Sequence, residues 1–133
     1  MRMAKSLDGK TFSEPLIMPT PNNFEEGVAR LAEGLNSLTK GQIPVAVCGG
    51  VAGPLNRERD RLMRAPHLPD WVGKPLKAEL ESVLNAPVCL ENDTALVGLG
   101  EAVVGAGRHH HVVAYITVST GVGGVRIVNG NID

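Results

Sequence analysis

Apolar residues recur along the chain at two spacings, one helical and one extended, and their succession predicts the elements. Phe24, Val28, Leu31, Leu35 and Leu38 follow one another by threes and fours, the stripe of an amphipathic helix that packs one face on a core. Asn22 or Asn23 can cap that helix, and Glu25 and Glu26 in its first turn complement its dipole. Residues 74–84 repeat the pattern through Leu76, Leu80, Val83 and Leu84, and Asn85 and Pro87 stop it. A third helix is predicted over residues 94–104, capped by Asn92 or Asp93. Its small residues Ala95, Gly98, Gly100 and Ala102 suit close packing, and it closes at Gly105-Ala106-Gly107.

The extended runs fall between these helices. Residues 1–4 and 11–18 flank an Asp8-Gly9 pair, a hairpin signal. Residues 43–48 form a β-branched run that is expected to end as a strand at the turn Gly49-Gly50-Val51-Ala52-Gly53-Pro54. Residues 88–90 read as a further strand. Residues 112–118 read as a strong one that enters Ser119-Thr120-Gly121-Val122-Gly123-Gly124, resumes over 125–128 and turns at Asn129-Gly130-Asn131. Hairpin, helix, strand, helix, strand, helix, hairpin is the order of an α/β protein.

Composition narrows the class without changing it. A chain of 133 residues with 43% hydrophobic and 20% charged residues matches a soluble globular domain, and no apolar stretch reaches the roughly 20 residues of a membrane span. Thirteen basic and fourteen acidic side chains leave a net charge of -1, which argues against a nucleic-acid or anionic-lipid surface. Two Phe, one Trp and one Tyr offer no platform for stacking bases. The 16 glycines and 9 prolines punctuate the elements. Cys48 and Cys89 each sit in an apolar run, which predicts buried, reduced thiols. With no signal peptide at the start, a cytoplasmic location is expected.

Candidate chemistry gathers at two places. Glu91-Asn92-Asp93 lies where a predicted strand gives way to a helix, the carboxyl edge at which open α/β sheets bind ligands. A carboxylate there can act as a general base and an amide beside it can hydrogen-bond a polyol; the plainer alternative is that Asn92 or Asp93 only caps the helix. Thr120-Gly121-Val122-Gly123-Gly124 can turn backbone N–H groups toward a phosphate. It is neither a dinucleotide fingerprint nor a Walker loop. His109-His110-His111 are adjacent and do not converge on one ion, so a solvated loop and no metal site are expected. Arg57, Arg59, Arg61 and Arg64 interleaved with Glu58 and Asp60 predict a solvated, irregular surface segment, with a contact to ATP or to a second subunit as the alternative.

These motifs together carry a resemblance. Gly50-Val51-Ala52-Gly53-Pro54, Pro66-His67-Leu68-Pro69-Asp70-Trp71, Glu91-Asn92-Asp93-Thr94-Ala95, the run over 98–107 with Glu101, and that over 117–124 follow in the order and spacing of the ROK family of repressors, uncharacterised reading frames and sugar kinases. The resemblance implies an actin-like, ribonuclease H-like fold and a glucokinase-like, ATP-dependent phosphorylation of a hexose or N-acylhexosamine. Asp93 would take the proton of the sugar hydroxyl, and Asn92 would hydrogen-bond a sugar hydroxyl. The loop holding Ala52 and Gly53 would line the sugar together with His67. Thr120, Gly121 and Gly123 would cradle the phosphates of ATP, with Mg2+ accompanying it, and Glu101 would pair within the fold. Ala52 stands where the family commonly has Pro and His67 where it commonly has Asn, which bears on loop rigidity and sugar preference.

The same resemblance implies an N-terminal small lobe over residues 1–110 that lacks the family's first strand and its Asp-x-Gly-Gly-Thr loop. Residues 111–133 would be the first strands of an incomplete C-terminal lobe. The family's zinc motif is not in this sequence. A homo-oligomer, a dimer, is expected, with no membrane or nucleic-acid partner through this segment. By itself the chain is expected to be poorly stable or oligomeric, with little kinase activity. Two alternatives remain from the sequence: the sugar-sensing domain of a repressor of the same family, and an inactive truncated remnant.

Overall fold

The computed structural model describes residues 1–119 and 121–133. The first strands, β1 (Arg2–Met3) and β2 (Leu16–Ile17), pair antiparallel with Met3 opposite Leu16. The hairpin is therefore real, but its ladder is only two residues long. Asp8 organises the tip, its Oδ1 accepting the N–H groups of Lys10 and Thr11 at 2.8 Å each.

Of the two candidate caps, Asn23 starts helix α1 (Phe24–Thr39): its Oδ1 accepts the Glu26 N–H at 2.8 Å. The helix ends at Lys40 in the left-handed region (φ 55°), with the Gly41 N–H returning to Asn36 O. Phe24 and Val28 are buried, and Leu31, Leu35 and Leu38 are half-buried. Gly27 lies flat against the indole of Trp71, where any Cβ would overlap the ring. Trp71 belongs to a single 3-10 turn (Pro69–Trp71), donates from Nε1 to Pro21 O at 3.2 Å, and meets the Phe24 ring edge-on at 5.5 Å.

Two parallel strands, β3 (Val47–Val51) and β4 (Val88–Asn92), run side by side with Val47 opposite Val88 and Val51 opposite Asn92. The crossover between them contains α2 (Leu76–Leu84), which Asn85 ends in the left-handed region (φ 50°). Phe24, Val28, Leu62, Trp71, Leu76, Leu80, Val88 and Leu90 form one core. Leu62, Leu76 and Val88 are the most completely buried of these, each worth about 1.5–3 kcal/mol of transfer free energy.

Helix α3 (Asp93–Val103) follows β4 without a break and packs on one side against β3 and β4. Its other side meets a three-stranded antiparallel sheet of β5 (Val112–Val118), β6 (Val122–Val128) and β7 (Asn131–Ile132), in that order. Gly98 permits the contact: a Cβ there would overlap Val125 Cγ1 and press on Tyr115. Glu101 serves the fold, as expected, its Oε2 accepting the Ala106 N–H at 3.0 Å in the turn that closes the helix.

Three expectations are corrected. The strand predicted over 43–48 lies instead at β3 and runs through Gly49 and Gly50, leaving Val45 95% exposed. Pairing with β4 decides its place, and Gly50 lets α3 come close, since a Cβ there would lie 3.1 Å from Leu96 Cδ1. Cys48 and Cys89 are exposed rather than buried. They are register partners that alternate away from the core, whereas Val88 and Leu90 point into it. Finally, Gly123 and Gly124 are not turn residues but belong to β6, opposite Thr117 and Ile116.

No helix among the described residues is long and apolar enough to cross a membrane.

Candidate functional site

The carboxyl ends of β3 and β4 and the first turn of α3 converge on Asn92 and Asp93. Asn92 holds both sides of this junction. Its Oδ1 accepts the Ala95 N–H at 3.1 Å and caps α3, while its Nδ2 donates to Gly53 O at 3.0 Å. Among the described residues, one N–H and one oxygen lone pair of the amide take no further partner. The capping role read from the sequence is thus observed, and it leaves room for the other.

Gly53 is fixed by geometry. Its φ of 137° is open to glycine, and a Cβ would overlap Arg64 O. Asp93 is the first residue of α3, at the positive end of the helix dipole, and is exposed. Its Oδ1 accepts the Thr94 N–H at 2.7 Å, and among the described residues its Oδ2 accepts from no group.

Asp93, Thr94, Val97, Tyr115 and Thr117 line a cleft of about 200 Å3 between α3 and β5. Gly123 closes on it from β6, where a Cβ would stand 3.3 Å from Thr94 Oγ1. The structure therefore brings Gly123 against Thr94 and Thr117, two residues of the cleft that Asp93 also lines. Gly121 is exposed at the hairpin end, which the Ser119 N–H closes on Gly121 O at 2.8 Å; Thr120 lies outside the described residues. Ala52 and His67 are both exposed, and neither side chain hydrogen-bonds Asn92 or Asp93 among the described residues.

A larger open depression of about 430 Å3 between the C-terminal ends of α1 and α2 is lined by residues such as Ala32, Leu35, Gln42 and Val83. It offers packing surface but little chemistry. The three adjacent histidines are exposed, with His111 Nδ1 beside Asn129 Oδ1 at 3.1 Å. Among the described residues no group of three or more His, Cys, Asp or Glu side chains is placed to hold a metal ion.

Sequence reasoning missed one element of the site. The arginine-bearing segment forms no helix or strand, as expected, but it is folded on itself: Leu55 bridges Leu62, and Asn56 Oδ1 accepts the N–H groups of Asp60 and Arg61 at 3.0 and 3.2 Å. Its tip places Arg59 Nη1 at 3.1 Å from Glu91 Oε2. Glu91 was visible only as a neighbour of Asp93, and nothing in the local pattern links it to Arg59.

Comparison with known proteins places this arrangement. The chain is 39% identical to the glucokinase of Streptomyces coelicolor over 114 residues, which are 86% of this chain and 35% of that protein. It superposes on the ROK hexokinase of Thermus thermophilus with a TM-score of 0.83 at 32% identity, covering 94% of this chain and 42% of that one. Against the ROK family glucokinase of Streptomyces griseus, solved with glucose and AMPPNP, the TM-score is 0.81 at 30% identity, over 95% of this chain and 40% of that one. The chain thus spans about a third of the curated relatives it matches. The α/β architecture is that of the actin-like ATPase class, as the motifs implied. The ROK family model matches residues 7–133, and the chain belongs to the ROK family.

Proposed function

We propose that this chain carries the proton-accepting and part of the phosphate-binding machinery of an ATP-dependent sugar kinase, acting on a hexose or N-acylhexosamine as a glucokinase does. The packing of Gly123 against Thr94, the neighbour of Asp93 in the first turn of α3, supports the reading, because phosphoryl transfer needs a base and a phosphate cradle within reach of each other. The glucose and AMPPNP of the Streptomyces griseus relative support a sugar and an adenine nucleotide as the two substrates.

In this reading a sugar hydroxyl beside Asp93 attacks the γ-phosphorus of ATP. The new O–P bond forms as the bond to the β,γ-bridging oxygen breaks, ADP leaves, and the hydroxyl proton passes to Asp93 Oδ2, the oxygen that accepts from no group among the described residues. A loose transition state asks the protein for position more than for strong basicity. Asn92 offers its remaining N–H to a neighbouring hydroxyl, and Ala52, Gly53 and His67 border the sugar. The resemblance assigns Thr120, Gly121 and Gly123 to the phosphates, whose Mg2+ would arrive with ATP.

Residues 1–110 are read as belonging to the smaller lobe and residues 111–133 as opening the second. A cytoplasmic homodimer suits the same reading.

A coupled ADP-release assay on the protein that contains this chain, run over glucose, mannose, fructose, N-acetylglucosamine and N-acetylmannosamine, tests it. Turnover with at least one of them is expected. Sugar binding with no ADP release from any would instead mark a sensing domain and reject the kinase reading.

A further inference from the structure

The loop spanning residues 53–64 is fastened to the end of β4 at two points, and only one of them has a role so far. At its base, Gly53 O accepts from Asn92 Nδ2 at 3.0 Å. At its tip, Arg59 reaches Glu91, whose side chain is 16% exposed. Glu91 Oε1 accepts the Asn92 N–H at 2.9 Å, so this carboxylate holds the backbone that leads into Asp93.

Glu91 Oε2 is buried and, among the described residues, accepts no aligned hydrogen bond. The Arg59 guanidinium at 3.1 Å is the one ion pair it has among the described residues. A buried carboxylate oxygen without a partner is costly, so removing Arg59 would leave Glu91 free to turn toward water.

The loop is shaped for this contact. Arg59 stands in the left-handed region (φ 54°), unfavourable for a side chain with a Cβ, and neighbouring bonds hold it there. Its own N–H donates to Asn56 O at 3.0 Å, Asn56 Oδ1 caps the next two N–H groups, and the Lys77 N–H donates to Asp60 O at 3.0 Å. The other arginines do not duplicate it. Arg61 pairs with Asp60, and Arg57 and Arg64 form no ion pair among the described residues.

We infer that Arg59 is a positioning residue: through Glu91 it sets the Asn92-Asp93 backbone and couples the loop beside the sugar to the base. The inference rests on the proposed kinase reading for its catalytic consequence, but its geometric content stands apart from it.

Amide hydrogen exchange on the protein that contains this chain reads the geometry. Arg59→Gln is expected to speed exchange of the Asn92 N–H by tenfold or more, to leave the core amides of Val88 and Leu90 unchanged, and to be partly rescued by Arg59→Lys. Glu91→Gln should match Arg59→Gln, and the double variant should be no worse than either, the mark of two groups acting as one. Arg57→Gln, which removes the same charge from the same loop, should resemble the parent. Unchanged Asn92 exchange in Arg59→Gln, or an equal effect from Arg57→Gln, overturns the inference.

In the kinase assay, Arg59→Gln should lower kcat about tenfold, with KM for ATP held within twofold. Normal kcat in Arg59→Gln, beside an active parent, refutes the coupling to the base. A parent that phosphorylates no sugar refutes the kinase reading instead, and the exchange experiment then decides the clamp.

Discussion

Asn92 Nδ2 donates to Gly53 O across 3.0 Å while its Oδ1 caps α3 through Ala95, so one amide joins the loop after β3 to the helix that begins with Asp93. Removing the side chain should cost both contacts. Asn92→Ala is expected to lose about 1 kcal/mol from the cap and about another from the tether, read by urea denaturation. Asn92→Ser keeps a capping oxygen and loses the tether, and should fall midway. Equal stability for Ser and Ala at this position would show that the cap contributes nothing.

Two glycines of α3 should respond in opposite directions. Gly98→Val drives its side chain into Val125 and Tyr115, an overpacking expected to cost about 1–3 kcal/mol. At Gly100 an added Cβ meets nothing within 4 Å, so Gly100→Ala should gain about 0.5–1 kcal/mol from helix propensity alone. Thermal melts of the two variants separate packing from propensity along one helix.

Trp71, the single tryptophan, reports on the main core. Gly27→Ala places a methyl group into its indole ring. The expected result is a red-shifted emission and a lower melting temperature. An unchanged spectrum would mean that α1 and the Pro69–Trp71 turn can move apart freely.

The first hairpin carries a pH signature. The Thr11 and Lys10 N–H groups, then the Thr11 hydroxyl, hold the Asp8 carboxyl well below the usual carboxylate range. Because the folded carboxyl is the stronger acid, its contribution to the turn is fully present above about pH 4 and is lost as the pH falls below the ordinary aspartate value. The Thr11 amide resonance should keep its position down to about pH 3, and Asp8→Asn should shift it at every pH.

Much of this was legible in the sequence. The stripe from Phe24 to Leu38 and the Asn22-Asn23 pair located the start of α1 to within a residue, and the Asn92-Asp93 pair did the same for α3. Glycine was the source of error. Gly49-Gly50 and Gly123-Gly124 read as turns because glycine weakens strands, yet both pairs lie in ladders. Gly50 and Gly123 are small because α3 passes over them, at Leu96 and at Thr94, and that closeness is set by residues distant in sequence. The exposure of Cys48 and Cys89 follows from which face the helices cover, a property of the assembled layers. Arg59 and Glu91 meet through the folding of a whole loop, so no local spacing announces the pair.

Gly53→Ala tests whether that loop is held as described. At φ 137°, with Arg64 O in the way, the substitution is expected to cost about 1–3 kcal/mol and to release the Asn92 tether, seen as a shifted Asn92 side-chain amide resonance. An unshifted resonance would mean that the tether does not depend on this backbone geometry.

The most direct test of the proposal that Asp93 is the proton acceptor is the turnover of Asp93→Asn in the protein that contains this chain, measured by ADP release with whichever sugar the parent protein turns over. A loss of about 10²–10⁴-fold in kcat is predicted, with unchanged thermal stability and KM for ATP held within about twofold. An Asp93→Asn enzyme that turns over at the parent rate would contradict the account.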